Sequence, residues 1–201
     1  MVGQVDVATA VARENPLLVG AAVVGVLAVL VVLWVGIRRF QRTTAGQFLD
    51  RLSDREEVAV LMHPNPDPDA MASAMTVAHL AADVGTEVTL QHAGAIKHHQ
   101  NQAFVKAFDL ELAPIEDANW LETRDVVLVD HNEPRGFAGA AALDPIAVID
   151  HHPGDGTGDV TDVRPDVGAC ASLFVEYFQE LDATVGADDG LSVSPTLATG
   201  L

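Results

Sequence analysis

From Pro16 to Ile37 the chain reads PLLVGAAVVGVLAVLVVLWVGI, 22 residues without a charge. At about 1.5 Å per residue, a helix of that length crosses a hydrocarbon core roughly 30 Å thick. Signal-peptide apolar regions run only about 7–15 residues, and no small-residue cleavage site follows before Arg38. The stretch 16–37 is therefore predicted to span a membrane rather than to be a cleaved leader or a buried core helix. Arg38, Arg39 and Arg42 follow it directly, against Arg13 alone before it, and such an imbalance places the following chain in the cytoplasm. The expected layout is a single-pass anchor in the cell membrane, with residues 1–15 an extracytoplasmic tail. Trp34 near the cytoplasmic end suits an interfacial position.

Residues 38–57 are polar with spaced apolar positions at Phe40, Phe48, Leu49 and Leu52. They read as a juxtamembrane helix and spacer. Residues 43–201 carry seven basic against 27 acidic residues. A field of that sign repels nucleic-acid phosphates, so binding to long duplex DNA is excluded. The same composition, with two lysines and many aspartates, resembles that of halophilic archaeal proteins, whose salty cytoplasm screens the self-repulsion. Cys170 is the single cysteine. It has no intrachain partner, which agrees with a reducing compartment and excludes a cysteine-based zinc site.

Beyond the spacer, short apolar runs alternate with helix-like ones. Strands are predicted at 58–62, 87–92, 125–129 and 146–149, and helices at 70–83, 97–108 and 170–181. The runs DVVLV and IAVI have the continuous apolar character of strands buried on both faces. The fold class expected for residues 58–201 is α/β, a mostly parallel sheet flanked by helices, preceded by one transmembrane helix.

Three of these strands end alike: VAVLM runs into HPNPDPD, DVVLV into DHNE, and IAVI into DHHPG. Ligand sites of open α/β sheets lie at the carboxyl ends of strands, so the three clusters converge on one edge. His63, Asp67, Asp69, Asp130, Asp150, His151 and His152 offer carboxylates with some imidazoles and no thiolate, a set suited to manganese, with magnesium as the alternative. They are too many for one ion, and two ions about 3.5–4 Å apart can activate a water and clamp a phosphoryl group. Pro64, Pro66 and Pro68 pre-shape the first loop. Taken singly, each cluster has a plainer reading, because Asp67 or Asp69 could simply cap the helix that follows.

HPNPDPDAMAS, VDHNE and IDHH, in that order and followed by GACAS, closely resemble the motifs of the DHH phosphoesterase superfamily. The resemblance covers about residues 57–201 and implies a catalytic domain with two Mn2+ (Mg2+ as the alternative). It implies that His63, Asp67 and Asp130 hold one ion, and that Asp69, Asp130 and His151 hold the second, with Asp130 bridging. His152 would face the substrate phosphate and Asp150 would orient the neighbouring histidine from behind or act as a ligand. A hydroxide held between the ions would be the nucleophile. In the family a further metal-ligating Asp follows a segment like LATGLxxGIxxD. This sequence stops at Leu201 inside that segment, so it is expected to be part of a longer product that also holds the smaller substrate-binding domain.

Other features carry two readings each. His98, His99 and Asn101 are either a substrate contact or surface residues at a helix start. Gly168–Ser172 opens a helix whose N–H groups could receive a phosphate, or supplies small residues for close packing. Arg135 could contact phosphate. His79, His92 and Cys170 read as structural.

The resemblance implies a membrane-anchored, metal-dependent phosphodiesterase or phosphatase of small nucleotides: short single-stranded oligoribonucleotides, 3′-phosphoadenosine 5′-phosphate or cyclic dinucleotides. Alternatives are a manganese-dependent inorganic pyrophosphatase and a non-catalytic, membrane-tethered sensory module. A homodimer is left open.

Overall fold

The structure is a computed structural model that describes residues 16–40, 43–185 and 192–200. The expected tail at 1–15 lies outside the described residues. The chain divides into two units, Met1–Arg42 and Thr43–Leu201.

In the first unit, α1 spans Pro16–Phe40. Its described side chains, Leu17 and those of residues 20–34, are all exposed. Among the described residues no helix is long and apolar enough to cross a membrane.

The second unit opens with α2 (Thr44–Ser53). Residues 38–57 were expected to be a spacer, yet α2 belongs to the core. Ala45, Phe48 and Leu52 are fully buried, with Phe48 against Phe174 and Tyr177 at ring-centroid distances of 6.4 and 5.9 Å. Phe48 and Leu52, buried to that extent, each contribute roughly 1.5–3 kcal/mol. The apolar spacing of α2 thus marks one amphipathic face. Thr43 Oγ1 accepts from the Gly46 N–H, and Glu180 Oε2 from the Ala45 N–H.

Strands β1 (Glu57–Met62), β2 (Glu87–Ala93), β3 (Ala113–Ile115), β4 (Val126–Val129), β5 (Ala147–Asp150) and β6 (Val160–Val163) form one sheet. Its order is β3-β2-β1-β4-β5-β6 and every pairing is parallel. Between the strands lie α3 (Pro68–Val84) and α4 (His99–Phe108), and after them α5 (Cys170–Glu180). A short pair, β7 (Thr184–Val185) with β8 (Ser192–Val193), precedes α6 (Pro195–Gly200).

Alternation along β1 divides the core. Val58, Val60 and Met62 join Met71, Leu80, Leu173, Phe174 and Tyr177 beneath the helices. Leu61 joins Val126, Leu128, Val148, Ala118 and Leu143 on the opposite face. The central strands are therefore buried on both faces, as their continuous apolar runs require. Helix α3 begins two residues before the predicted start because Asp67 caps it and Pro68 occupies its first turn. It ends at Gly85, φ +81.

Candidate functional site

Strand order reverses at β1, with β2 on one side and β4 on the other, and such a switch point opens a crevice at the carboxyl edge. Met62 pairs with Val129, and Val129 with Ile149. The three expected loops consequently leave β1, β4 and β5 at one height. His63, Asp67, Asp69, Asp130, Arg135, His151 and His152 line a single cleft of about 510 Å³ with Gly168 and Ala169.

Asp130 is its centre. The backbone there sits at φ +60, a left-handed conformation that costs a non-glycine residue about 1–3 kcal/mol and concentrates at functional sites. The carboxylate is 2% exposed. His63 Nε2 lies 3.3 Å from its Oδ2, and His151 Nε2 lies 3.3 Å from its Oδ1. On the far side of each ring, His63 Nδ1 is 3.0 Å from the Pro64 carbonyl and His151 Nδ1 is 3.2 Å from that of Val167. A carbonyl only accepts, so each Nδ1 carries the proton, and in the neutral ring Nε2 is a bare lone pair facing a carboxylate. Two acceptors so placed repel unless a positive charge lies between them.

The donor set fits a divalent cation. Asp130 Oδ1 is buried with no hydrogen-bond donor among the described residues. Ligand atoms around one octahedral ion at about 2.1 Å stand roughly 3 Å apart, close to the separations found. Among the described residues, ligand atoms of His63, Asp67 and Asp130 lie within 4.8 Å of one another, as do those of Asp130, His151 and His152. Asp130 belongs to both groups.

Titration follows the same geometry. Burial raises the pKa of Asp130, the nearby Asp69 and Asp67 push it the same way, and His63 opposes them. The bond to Asp130 lifts His63 above the ordinary histidine value, against the burial that would lower it. A proton between the two occupies the place of a cation, so cation binding releases it.

The capping and ligand readings of the first loop coexist. Asp67 Oδ1 accepts from the N–H groups of Asp69 and Ala70, both at 3.1 Å. Asp69 is committed elsewhere: its Oδ2 accepts from the Cys170 N–H and its Oδ1 from the Ala171 N–H, both at 2.8 Å. This displaces the phosphate reading of Gly168–Ser172, because the start of α5 already holds a carboxylate. His151 Nε2 lies 3.6 Å from Asp69 Oδ2.

Asp150 stands behind the cleft rather than in it. It is fully buried, and its Oδ1 lies 2.9 Å from His152 Nδ1. Asn101 is not a surface residue at a helix start. It is buried, and its Nδ2 donates to the Pro66 carbonyl at 2.8 Å, holding the first loop. Lys97, His98 and His99 are exposed, and the Lys97 N–H donates to Asn65 Oδ1. Cys170 is buried, its thiol pushed up by desolvation and donating to the Ile149 carbonyl.

His131 and Asn132 both stand in the DHNE run, where no sequence signal marks either as part of the site. His131 is buried, 2.9 Å through Nδ1 from the Val129 carbonyl, and burial pushes it down to about 4, so it is a neutral packing element. Asn132 Nδ2 donates to Asp150 Oδ2 at 2.8 Å.

A parallel sheet with carboxylates and imidazoles gathered at its switch point defines a class of α/β domain built around divalent cations. Within that class the chain belongs to the DHH family: residues 57–200 match the DHH family, N-terminal domain. An uncharacterized protein of Methanocaldococcus jannaschii is 35% identical over 124 residues, 61% of this chain and 26% of that protein. A probable manganese-dependent inorganic pyrophosphatase of Enterococcus faecalis is 29% identical over 150 residues, 72% of this chain and 48% of its own length. The chain thus spans about a quarter of the first relative and about half of the second. Among solved structures, an exopolyphosphatase-related protein from Bacteroides fragilis aligns with a TM-score of 0.47 and 15% identity, over 68% of this chain and 43% of that one.

Proposed function

We propose that this chain carries the catalytic domain of a metal-dependent phosphoesterase, a hydrolase of small phosphate esters. The observation that carries the reading is Asp130, a buried carboxylate with one oxygen that has no donor among the described residues and a histidine Nε2 3.3 Å from each oxygen. Membership of the DHH family and likeness to manganese-dependent pyrophosphatases support it.

His63, Asp67 and Asp130 would hold one cation, and Asp130 and His151 would share in holding a second, with Asp69 beside them. Manganese, or magnesium in its place, supplies positive charge to phosphoryl oxygens and lowers the pKa of a bound water. Arg135, exposed on the lining of the cleft, offers a guanidinium to a phosphate. His152 is held at Nδ1 by Asp150, which leaves Nε2 to hold or deliver a proton at a phosphate oxygen.

The substrates of first choice are short oligoribonucleotides, 3′-phosphoadenosine 5′-phosphate and cyclic dinucleotides. Pyrophosphate is the second reading, favoured by the names of the curated relatives. On sequence alone, the uncharged run 16–37 and the arginines that follow it support a membrane anchor with this domain on the cytoplasmic side, and the acidic composition would suit a salty interior.

The test offers a dinucleotide, 3′-phosphoadenosine 5′-phosphate, cyclic diadenylate and pyrophosphate side by side, with manganese and high potassium chloride. Manganese-dependent cleavage of a nucleotide is expected. Cleavage of pyrophosphate alone promotes the second reading. Two-metal binding without turnover of any of them would overturn the hydrolase in favour of a tethered sensory module.

A further inference from the structure

We propose that Asn132 is a positioning residue that aims His152 through Asp150. The proposal rests on the reading above, in which His152 faces the substrate phosphate.

Asn132 lies two residues past Asp130, on the loop after β4, yet its contacts are on the loop after β5. Its Nδ2 is 2.8 Å from Asp150 Oδ2, 3.2 Å from the Pro153 carbonyl and 3.3 Å from the His152 carbonyl. Three acceptors around one nitrogen fix which end of the amide points there, because the carbonyl end would face acceptors only. The space is reserved by Gly154 at φ +150, where a Cβ would come within 2.5 Å of that nitrogen.

Asp150 has no exposure to water. One of its oxygens takes the Asn132 amide and the other lies 2.9 Å from His152 Nδ1. With a donor on each side the carboxylate is held in one orientation, and that orientation selects the Nδ1–H tautomer of His152. The hold depends on Asp150 alone, because the other carboxylate oxygen near His152 Nδ1, Asp130 Oδ1, lies 3.7 Å away, beyond hydrogen-bond reach. Without Asn132, Asp150 loses its second donor and can swing away from His152, which leaves Nδ1 with no acceptor in hydrogen-bond reach and the two tautomers free to mix. The two motif loops are therefore stitched by one side-chain amide, which decides where the imidazole points without touching substrate.

The experiment records ring 15N shifts of His152 in the full, metal-free chain in detergent micelles, at about pH 8, above the ordinary histidine range. The resonances are assigned by their loss in His152→Gln. The wild type should show one tautomer, protonated at Nδ1. Asn132→Ala and the equally sized Asn132→Asp should both lose that bias, and kcat should fall about 10–100-fold, as loss of a partner behind a ligand set typically costs, with KM little changed. A packing role alone predicts that Asn132→Asp keeps the wild-type shifts, and that result would overturn the proposal. So would an Nε2–H tautomer in the wild type, which needs no variant to fold. The ring shifts require no turnover, so a chain that hydrolyses nothing would sink the hydrolase reading while they still decide the role of Asn132.

Discussion

Two adjacent strands end in nearly the same letters, VDHN after β4 and IDHH after β5, and the two aspartates do opposite work. Asp130 and Asp150 are both buried, at 2% and 0% exposure. Asp150 has a donor for each oxygen, Asn132 on one and His152 on the other. Asp130 has an oxygen with none, and it faces the Nε2 atoms of His63 and His151 instead. A buried carboxylate with donors is scaffold, whereas one without them is costly until a cation arrives. What separates ligand from support is the supply of N–H groups around each.

The largest expected effect breaks the pair at Asp130. Asp130→Asn removes the carboxylate common to both ligand groups, so manganese affinity measured by calorimetry should fall well beyond the about 10–100-fold that loss of an outer partner costs. Turnover should vanish with it. Normal manganese-dependent activity in this variant would sink the assignment of the site. Asp150→Asn comes next: its amide has one acceptor for two donors, so its N–H2 end must face either Asn132 or His152 Nδ1, and turnover should drop about 10–100-fold while manganese affinity changes less. If Asp150→Asn lowers manganese affinity as far as Asp130→Asn does, the two aspartates are alike and the contrast fails.

This contrast was only half legible in the sequence. Continuous apolar runs followed by charge located β1, β4 and β5, and with them His63, Asp130, His151 and His152, because strand-end convergence follows from parallel topology alone. The short edge strands β3 and β6 escaped: Ala113–Ile115 and Val160–Val163 are brief and partly exposed, with no apolar run to mark them. Helix α2 passed for a spacer because its partner aromatics, Phe174 and Tyr177, lie more than a hundred residues away. Asn132 went unread for a related reason. An amide in a loop carries no signal until its acceptors, set by a different strand, are in place.

Two smaller effects sharpen the comparison through stability without metal. For Asp130, burial raises the pKa, so the folded state favours the protonated form. The stability this supplies is present at low pH and lost as pH rises through the folded-state value. His63, also raised, contributes its ion pair only below its own pKa. At alkaline pH, where both groups have lost their protons, Asp130→Asn should raise the stability of the chelator-treated chain by about 1–3 kcal/mol, the range for a buried polar group left unbonded, as read by urea unfolding.

Asp69 should respond in the opposite direction. It lines the cleft with the ligands, but its two oxygens hold the N–H groups of Cys170 and Ala171 at 2.8 Å, so by the rule of donors it is scaffold before any metal binds. Asp69→Ala leaves the start of α5 uncapped, and the same urea measurement should show a loss of about 0.5–2 kcal/mol, the usual cost of a lost cap. A stability gain on removing Asp69, like that expected at Asp130, would place it among the carboxylates that wait for a cation. The boundary between support and ligand would then run between Asp69 and Asp150 rather than between Asp130 and Asp69.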